Sequence, residues 1–250
     1  MAGFSWSDSR ELEAYATKAL TTLEETNIES DSREIVVLIH GWVSHRALMK
    51  PLEWRFQRLG YATRNWGYHS LRGSIEQHAV EFASYLDALQ KSATDATFHI
   101  VAHSMGSIIT RCVLQHHHFE QLGRVIMLCP PNRGSHMARR ASTLLRRNLR
   151  TLDEITDRAD SLVNQLPTST GAQVGIVAAR NDLVVDPNAT QLDDARDFVI
   201  VPGMHNSVLF KQNVVDLCAN FLRDGCFRPV EPPPTFTSLE HNAQVPSRGD

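Results

Sequence analysis

A chain of 250 residues is long enough to bury a rigid core, as one large domain or two small ones. Its 42% hydrophobic and 21% charged residues exclude a fibrous or wholly disordered chain. A formal net charge of -3 offers no global field to gather nucleic acid, so a nucleic-acid partner is not expected.

The opening stretch, Met1 to Leu20, lacks a basic segment followed by an apolar run, and no later run approaches membrane-spanning length. A cytoplasmic location without an integral membrane segment is therefore expected. The first strong element is "EIVVLIH" (34–40), ending in His40-Gly41-Trp42. Helical spacing follows from Arg46 to Leu59, then a weaker strand at 61–68 and a helix from Ser74 to Gln90. The next strand, at 98–103, runs into a helix from Ser107 to His116, and another strand occupies 124–129. Residues 135–166 form a helical excursion where a plain crossover would need one helix, which predicts a small helical lid. Strands at 173–179 and 197–203 and a helix from Asn206 to Arg223 complete the series. Continuous apolar runs, in place of alternation, mark strands covered on both faces. The strand and helix alternation predicts an α/β fold with a mostly parallel, doubly wound sheet and helices on both faces. From Pro229 the chain is rich in proline and polar residues, so one domain over 1–228 and an extended or disordered tail over 229–250 are expected. Cys112, Cys129, Cys218 and Cys226 have no CxxC spacing, which suits reduced thiols, although spacing leaves a distant disulfide open.

Ser104 stands between strand and helix in Ala102-His103-Ser104-Met105-Gly106. A strand, sharp turn and helix around a central serine expose its hydroxyl at the top of a parallel sheet, and the turn needs small residues two before and two after it. The helix start brings its dipole and the Met105 amide to a developing oxyanion. Gly41 lets the chain turn so that the Trp42 amide points at the same oxygen.

A serine hydroxyl needs a base, and imidazole has a suitable intrinsic pKa. Of 12 histidines, His205 follows the last strand directly, on the edge where Ser104 emerges. His40 and His103 belong to strand-end motifs, and His116 to His118 close a helix. The acid should precede that histidine, after the strand at 173–179. Asp182 and Asp186 both qualify. Asp182 is nearer the strand end, and Asp186, before Pro187, reads more readily as a turn residue.

With these pieces the chain resembles the α/β-hydrolase superfamily, and within it bacterial lipase/esterase-like proteins related to the GPI-inositol-deacylase-like lipases. The matching stretches include "VVLIHGW", "HIVAHSMGSIITR", "VIMLCPPNRGSHMAR", "NDLVV" and "VPGMHNSVL", and they extend from about Arg33 to Phe227. The resemblance implies Ser104 as nucleophile, Asp182 as acid, His205 as base and the Trp42 and Met105 amides as oxyanion donors. It implies carboxylic ester hydrolysis through an acyl-enzyme. Ala102 and Leu183 stand where such proteins usually carry glycine. An acyltransferase or thioesterase using the same residues is the alternative enzyme reading, and a non-catalytic hydrolase-fold binding protein is the other.

The excursion carries Arg133, Arg139, Arg140, Arg146, Arg147 and Arg150, with Met137, Ala141, Leu144, Leu145 and Leu152 as an apolar side. A basic amphipathic segment can rest transiently on a lipid surface. The plainer expectation is a solvated face balanced by Asp153, Glu154, Asp157 and Asp160. Trp42 and Met105 are expected to line the substrate pocket, for a small-molecule or lipid ester. No metal-ligand spacing, P-loop or dinucleotide fingerprint appears, so neither cofactor nor metal is expected.

Overall fold

The apolar runs become six strands in a computed structural model that describes residues 33–145 and 149–228. The expectations for the opening stretch, for the tail from Pro229 and for Arg146 and Arg147 lie outside the described residues. Strands β1 (Glu34–Ile39), β2 (Ala62–Trp66), β3 (Thr97–His103), β4 (Leu122–Leu128), β5 (Gln173–Ala179) and β6 (Asp197–Val201) form one parallel sheet in the order β2-β1-β3-β4-β5-β6. Leu38 pairs with Val101, Val101 with Ile126, and Ile126 with Gly175.

Among the described residues, four helices cover the sheet. Helix α1 (Lys50–Arg58) and the last helix, introduced below, pack on one face, where Val36 and Leu38 meet Leu52, Phe56, Val214 and Phe221. Helices α2 (Ile75–Ser92) and α3 (Met105–His116) cover the other, where Ile35, Val37 and Ile39 meet Ile75, Phe82 and Ile108. Both sets of alternate β1 residues are thus buried, which is why the strand reads as one unbroken apolar run. From β1 the chain winds outward to β2 and then across to β3, placing a topological switch point between β1 and β3. Ligand sites in such sheets open at the carboxyl ends of the strands beside that point.

The described residues of the excursion between β4 and β5 form three helices: α4 (His136–Leu145), α5 (Arg150–Glu154) and α6 (Leu162–Gln165). It is pinned at several places. Gly134, at φ 84°, turns so tightly that a Cβ there would lie 2.3 Å from the Thr156 carbonyl oxygen. Ser135 bridges to Thr156, and its hydroxyl caps α4 by accepting from the Ala138 amide at 3.1 Å. Glu154 accepts from the Ile75 amide at the start of α2 (2.7 Å), and the Thr151 hydroxyl donates to the Ser70 carbonyl (3.1 Å). The predicted helix from Asn206 to Arg223 is broken at Lys211, which is extended (φ -93°, ψ 128°). A 3-10 turn at Ser207–Phe210 precedes it and helix α7 (Gln212–Asp224) follows. Likewise Arg46–Met49 is a 3-10 turn before α1, whose first turn holds Pro51. Cys112, Cys129, Cys218 and Cys226 are all free thiols.

Candidate active site

Three non-glycine residues with positive φ occur among the described residues, each just past the carboxyl end of a strand: Val43 after β1, Ser104 after β3 and Cys129 after β4. Such conformations cost about 1–3 kcal/mol and gather where strain serves function. Ser104, at φ 53° and ψ -124°, joins β3 to α3 without an intervening loop. Its neighbours must be small. A Cβ on Gly106 would lie 2.6 Å from the His40 carbonyl oxygen, and one on Gly41 would lie 2.7 Å from Cβ of Ser104. Ala102, where the resemblance expects glycine, fits in the buried sheet between Ile39 and Met127.

The side chains of Ser104, His205 and Asp182 come together although they stand on three separate strand ends. His205 Nε2 lies 2.9 Å from Ser104 Oγ, and His205 Nδ1 lies 2.7 Å from Asp182 Oδ2. The Asp182 side chain is fully buried. Its other oxygen accepts from the Val184 amide (2.8 Å) and the Val185 amide (2.9 Å). Burial pushes this carboxyl up, but the His205 hydrogen bond and the two amides outweigh it and hold it below the usual carboxylate range. An ionised Asp182 accepts the Nδ1 proton, which leaves the Nε2 lone pair facing the serine hydroxyl. Leu183 points into solvent at 79% exposure, so its side chain does not crowd this turn. Asp186 instead accepts from the Asn188 amide (2.8 Å) as a turn residue. His116, His117 and His118 line a cavity with Leu122 and Gln173, the first residues of β4 and β5, at the opposite edge of the sheet.

Two further histidines brace the centre. His40 stacks on Tyr68 at 4.4 Å, receives the Tyr68 amide at 3.4 Å and donates through Nδ1 to the Gly41 carbonyl at 2.9 Å; the Tyr68 hydroxyl donates to the His40 carbonyl. These bonds fix the turn that carries Trp42. His103 is buried beside His205, with ring centroids 5.0 Å apart, and donates through Nε2 to the His205 carbonyl at 3.3 Å. Burial first, then the neighbouring imidazole, push it down to about 3. Reading the sequence treated both histidines only as parts of strand-end motifs and missed this bracing. It also missed Cys129, whose sulfur lies with one donor atom each of Asp182 and His205 inside a 4.8 Å group. That is the one cluster of three metal-type donors found among the described residues. Its carboxylate is already engaged by His205 and two amides.

Ser104 and His205 open into a cavity of about 410 Å³ with a largely apolar wall. Trp42 and Leu48 line it on the β1 side, Met137, Ala138 and Ala141 from α4, and Leu152 and Ile155 from the rest of the excursion. Met105 does not line it. As the first residue of α3 it has a side chain fully buried in the core beneath the turn, so only its backbone can serve the site. Leu144 is 82% exposed and Arg139, Arg150, Arg133 and Arg158 pair with Asp157, Glu154, Asp193 and Asp160, the pattern of a solvated, charge-balanced face. No described helix is long and apolar enough to cross a membrane.

A search of curated protein sequences gave no match. Among solved structures, the mature form of the lipase BlEst2 from Bacillus licheniformis superposes with a TM-score of 0.61 at 15% identity, over 75% of this chain and 91% of that one. An esterase from Pyrococcus furiosus gives 0.60 at 14% identity, over 78% and 83%. A phospholipase from Legionella pneumophila gives 0.53 at 19% identity over 63% of this chain, which spans less than half, 44%, of that protein. These likenesses concern the fold. A family model described as "Alpha/beta hydrolase family" matches residues 36–210, from the first strand through His205. The protein with the serine turn after β3 and the imidazole after β6 therefore belongs to the alpha/beta hydrolase family.

Proposed function

We propose that this protein hydrolyses carboxylic esters with an apolar acyl group, through an acyl-enzyme on Ser104. The observation that carries this reading is the continuous hydrogen-bonded chain from Ser104 Oγ through His205 to the buried Asp182 carboxylate. In the proposed cycle His205 Nε2 takes the hydroxyl proton as Ser104 attacks the ester carbonyl, and Asp182 stabilises the imidazolium that forms. The Trp42 and Met105 amides receive the oxyanion. The Met105 amide is the first of α3 and has no acceptor within its own helix, which suits that role. His205 then protonates the departing alcohol, and water, activated by the same imidazole, frees the acid.

The apolar cavity beside Ser104 supports an acyl chain as its occupant. The lipase and esterase descriptions of the similar structures agree with ester substrates without naming this one. Helices α4 and α5 of the excursion line that cavity, which supports the lid reading. A fluorophosphonate probe tests the proposal directly. Labelling of the native protein that disappears in Ser104→Ala, together with hydrolysis of p-nitrophenyl acyl esters, is the expected outcome. A folded native protein that neither labels nor hydrolyses any such ester would sink it.

A further inference from the structure

The loop after β1 serves two cavities. Trp42, Ser44 and Leu48 line the apolar cavity at Ser104, whereas His45 and Arg46 line a second cavity of about 440 Å³. Consecutive Cα atoms are about 3.8 Å apart, so the backbone at Ser44 and at Arg46 is separated by no more than about 8 Å. The second cavity has a different chemistry. Its walls carry Arg46, Arg72, His45 and His69, with Tyr68 and His78 buried behind them, and among the described residues Glu81 is the single carboxylate that lines it.

The two arginines differ from five others among the described residues. Arg133, Arg139, Arg150, Arg158 and Arg223 each pair with a carboxylate. Neither Arg46 nor Arg72 has a carboxylate within ion-pair distance among the described residues. The Arg46 side chain and the Arg72 backbone are nevertheless held in place. The Arg46 stem lies across Gly67, where a Cβ would come within 3.2 Å of Arg46 Cδ, so a larger residue would push the side chain away. The Arg72 carbonyl is bound by His78 Nε2 at 2.7 Å, just before the turn at Gly73.

We propose that this second cavity receives a phosphate on the substrate's leaving group. The ester hydrolysed would then carry an apolar acyl chain in the first cavity and a phosphorylated alcohol in the second. This rests on the ester-hydrolase reading above. Guanidinium forks bind phosphate oxygens bidentately, and the histidines at the rim add further donors. Among the described residues, two guanidinium groups against one lining carboxylate leave an excess of positive charge, which suits a phosphate dianion better than a carboxylate. The chemistry stays balanced: the Ser104 Oγ–acyl bond forms as the ester C–O bond breaks, His205 returns the serine proton to the phosphorylated alcohol, and water later cleaves the acyl-enzyme.

Hydrolysis of monodecanoylglycerol phosphate against monodecanoylglycerol provides the test, in the native protein, Arg46→Ala and Arg72→Ala. The expected native ratio of kcat/KM favours the phosphate ester by about tenfold or more, as a charge-assisted contact predicts, and it collapses toward one in each variant. Added salt should also shrink it. Equal values for the two esters in the native protein, or a ratio that survives both substitutions, overturns the proposal while leaving the ester-hydrolase reading intact. If neither ester is turned over, calorimetric titration with inorganic phosphate decides separately. Binding that is lost in Arg72→Ala, and is not matched by acetate, sustains the site; no binding, or equal binding of acetate, overturns it.

Discussion

Gly41 and Ser104, just past the ends of neighbouring strands β1 and β3, approach so closely that a methyl group on the glycine would lie 2.7 Å from Cβ of the serine. The turn that carries Trp42 and the turn that presents the hydroxyl are therefore one packed unit. Gly41→Ala should force them apart by a fraction of an ångström. An expected fall of about a hundredfold in kcat follows from misplacing the hydroxyl and the proposed oxyanion donor together. Steady-state kinetics on a p-nitrophenyl ester, beside a thermal melt that shows the fold retained, measures it. Native-like kcat would disprove the close coupling.

Asp182→Asn preserves shape while removing the charge that the His205 Nδ1 proton faces. The amide can hold the ring in the wrong tautomer, with its proton toward Ser104. An expected loss of about 10⁴ in kcat, with fluorophosphonate labelling slowed in parallel, follows from that mechanism. Asp186→Asn is the control, because Asp186 only caps the turn at Asn188. Equal losses in the two variants would contradict the assignment.

The fold was legible because burial on both faces of the sheet writes itself into unbroken runs such as Val36 to Ile39. The convergence of Ser104, Asp182 and His205 was legible because strand ends in a parallel sheet come together, so each could be picked by its position after a strand. Breaks in helical spacing were harder. Nothing in the apolar periodicity around Lys211 marks its extended backbone, and the excursion's division into three helices depends on long-range anchors such as Glu154 to Ile75. The Met105 side chain was misplaced for a related reason. A residue beside a nucleophile seems to face substrate, but the first turn of α3 directs it into the core.

Arg111 fastens both ends of that excursion. Its buried guanidinium donates to the carbonyl and side-chain oxygens of Asn132 and to the carbonyls of Leu166 and Pro167, at 3.0 to 3.3 Å. Burial lowers its pKa to about 10, which still leaves it charged at neutral pH. Arg111→Met would fill similar space while leaving those oxygens without donors. A loss of about 3 kcal/mol is expected, a drop in Tm on the order of 10 °C. Differential scanning calorimetry reads it, and a shift within about 1 °C would contradict the clasp.

His103 makes stability depend on acid. Its usual pKa of 6.5 applies to the unfolded chain, whereas burial and the nearby His205 push it down to about 3 when folded. Between those values the unfolded state binds the extra proton, so stability falls as the pH falls, by up to about 1.4 kcal/mol per pH unit from this residue. His40 and His99, also lowered chiefly by burial, act with the same sign. Urea midpoints at about pH 7 and about pH 5 should differ in the native protein and differ less in His103→Gln. An unchanged difference in the variant would remove His103 from the account.

The acyl cavity should be tunable from the excursion alone. Ala138 and Ala141 stand one turn apart on α4 and both line the wall, while neither is hydrogen-bonded to Ser104, His205 or Asp182. Ala141 is partly exposed, so Ala141→Phe can project a ring into the space without overpacking the sheet core. Short acyl esters need little of the 410 Å³ and should retain their kcat/KM. Each methylene displaced from the apolar wall forfeits about 0.8 kcal/mol, so the loss should steepen with chain length and exceed tenfold once two or more are excluded. A p-nitrophenyl ester series from acetate upward, run on both proteins, gives the profile. A uniform loss across the series would mean that the ring disturbed the reacting groups, and no loss at any length would place the acyl chain outside this cavity.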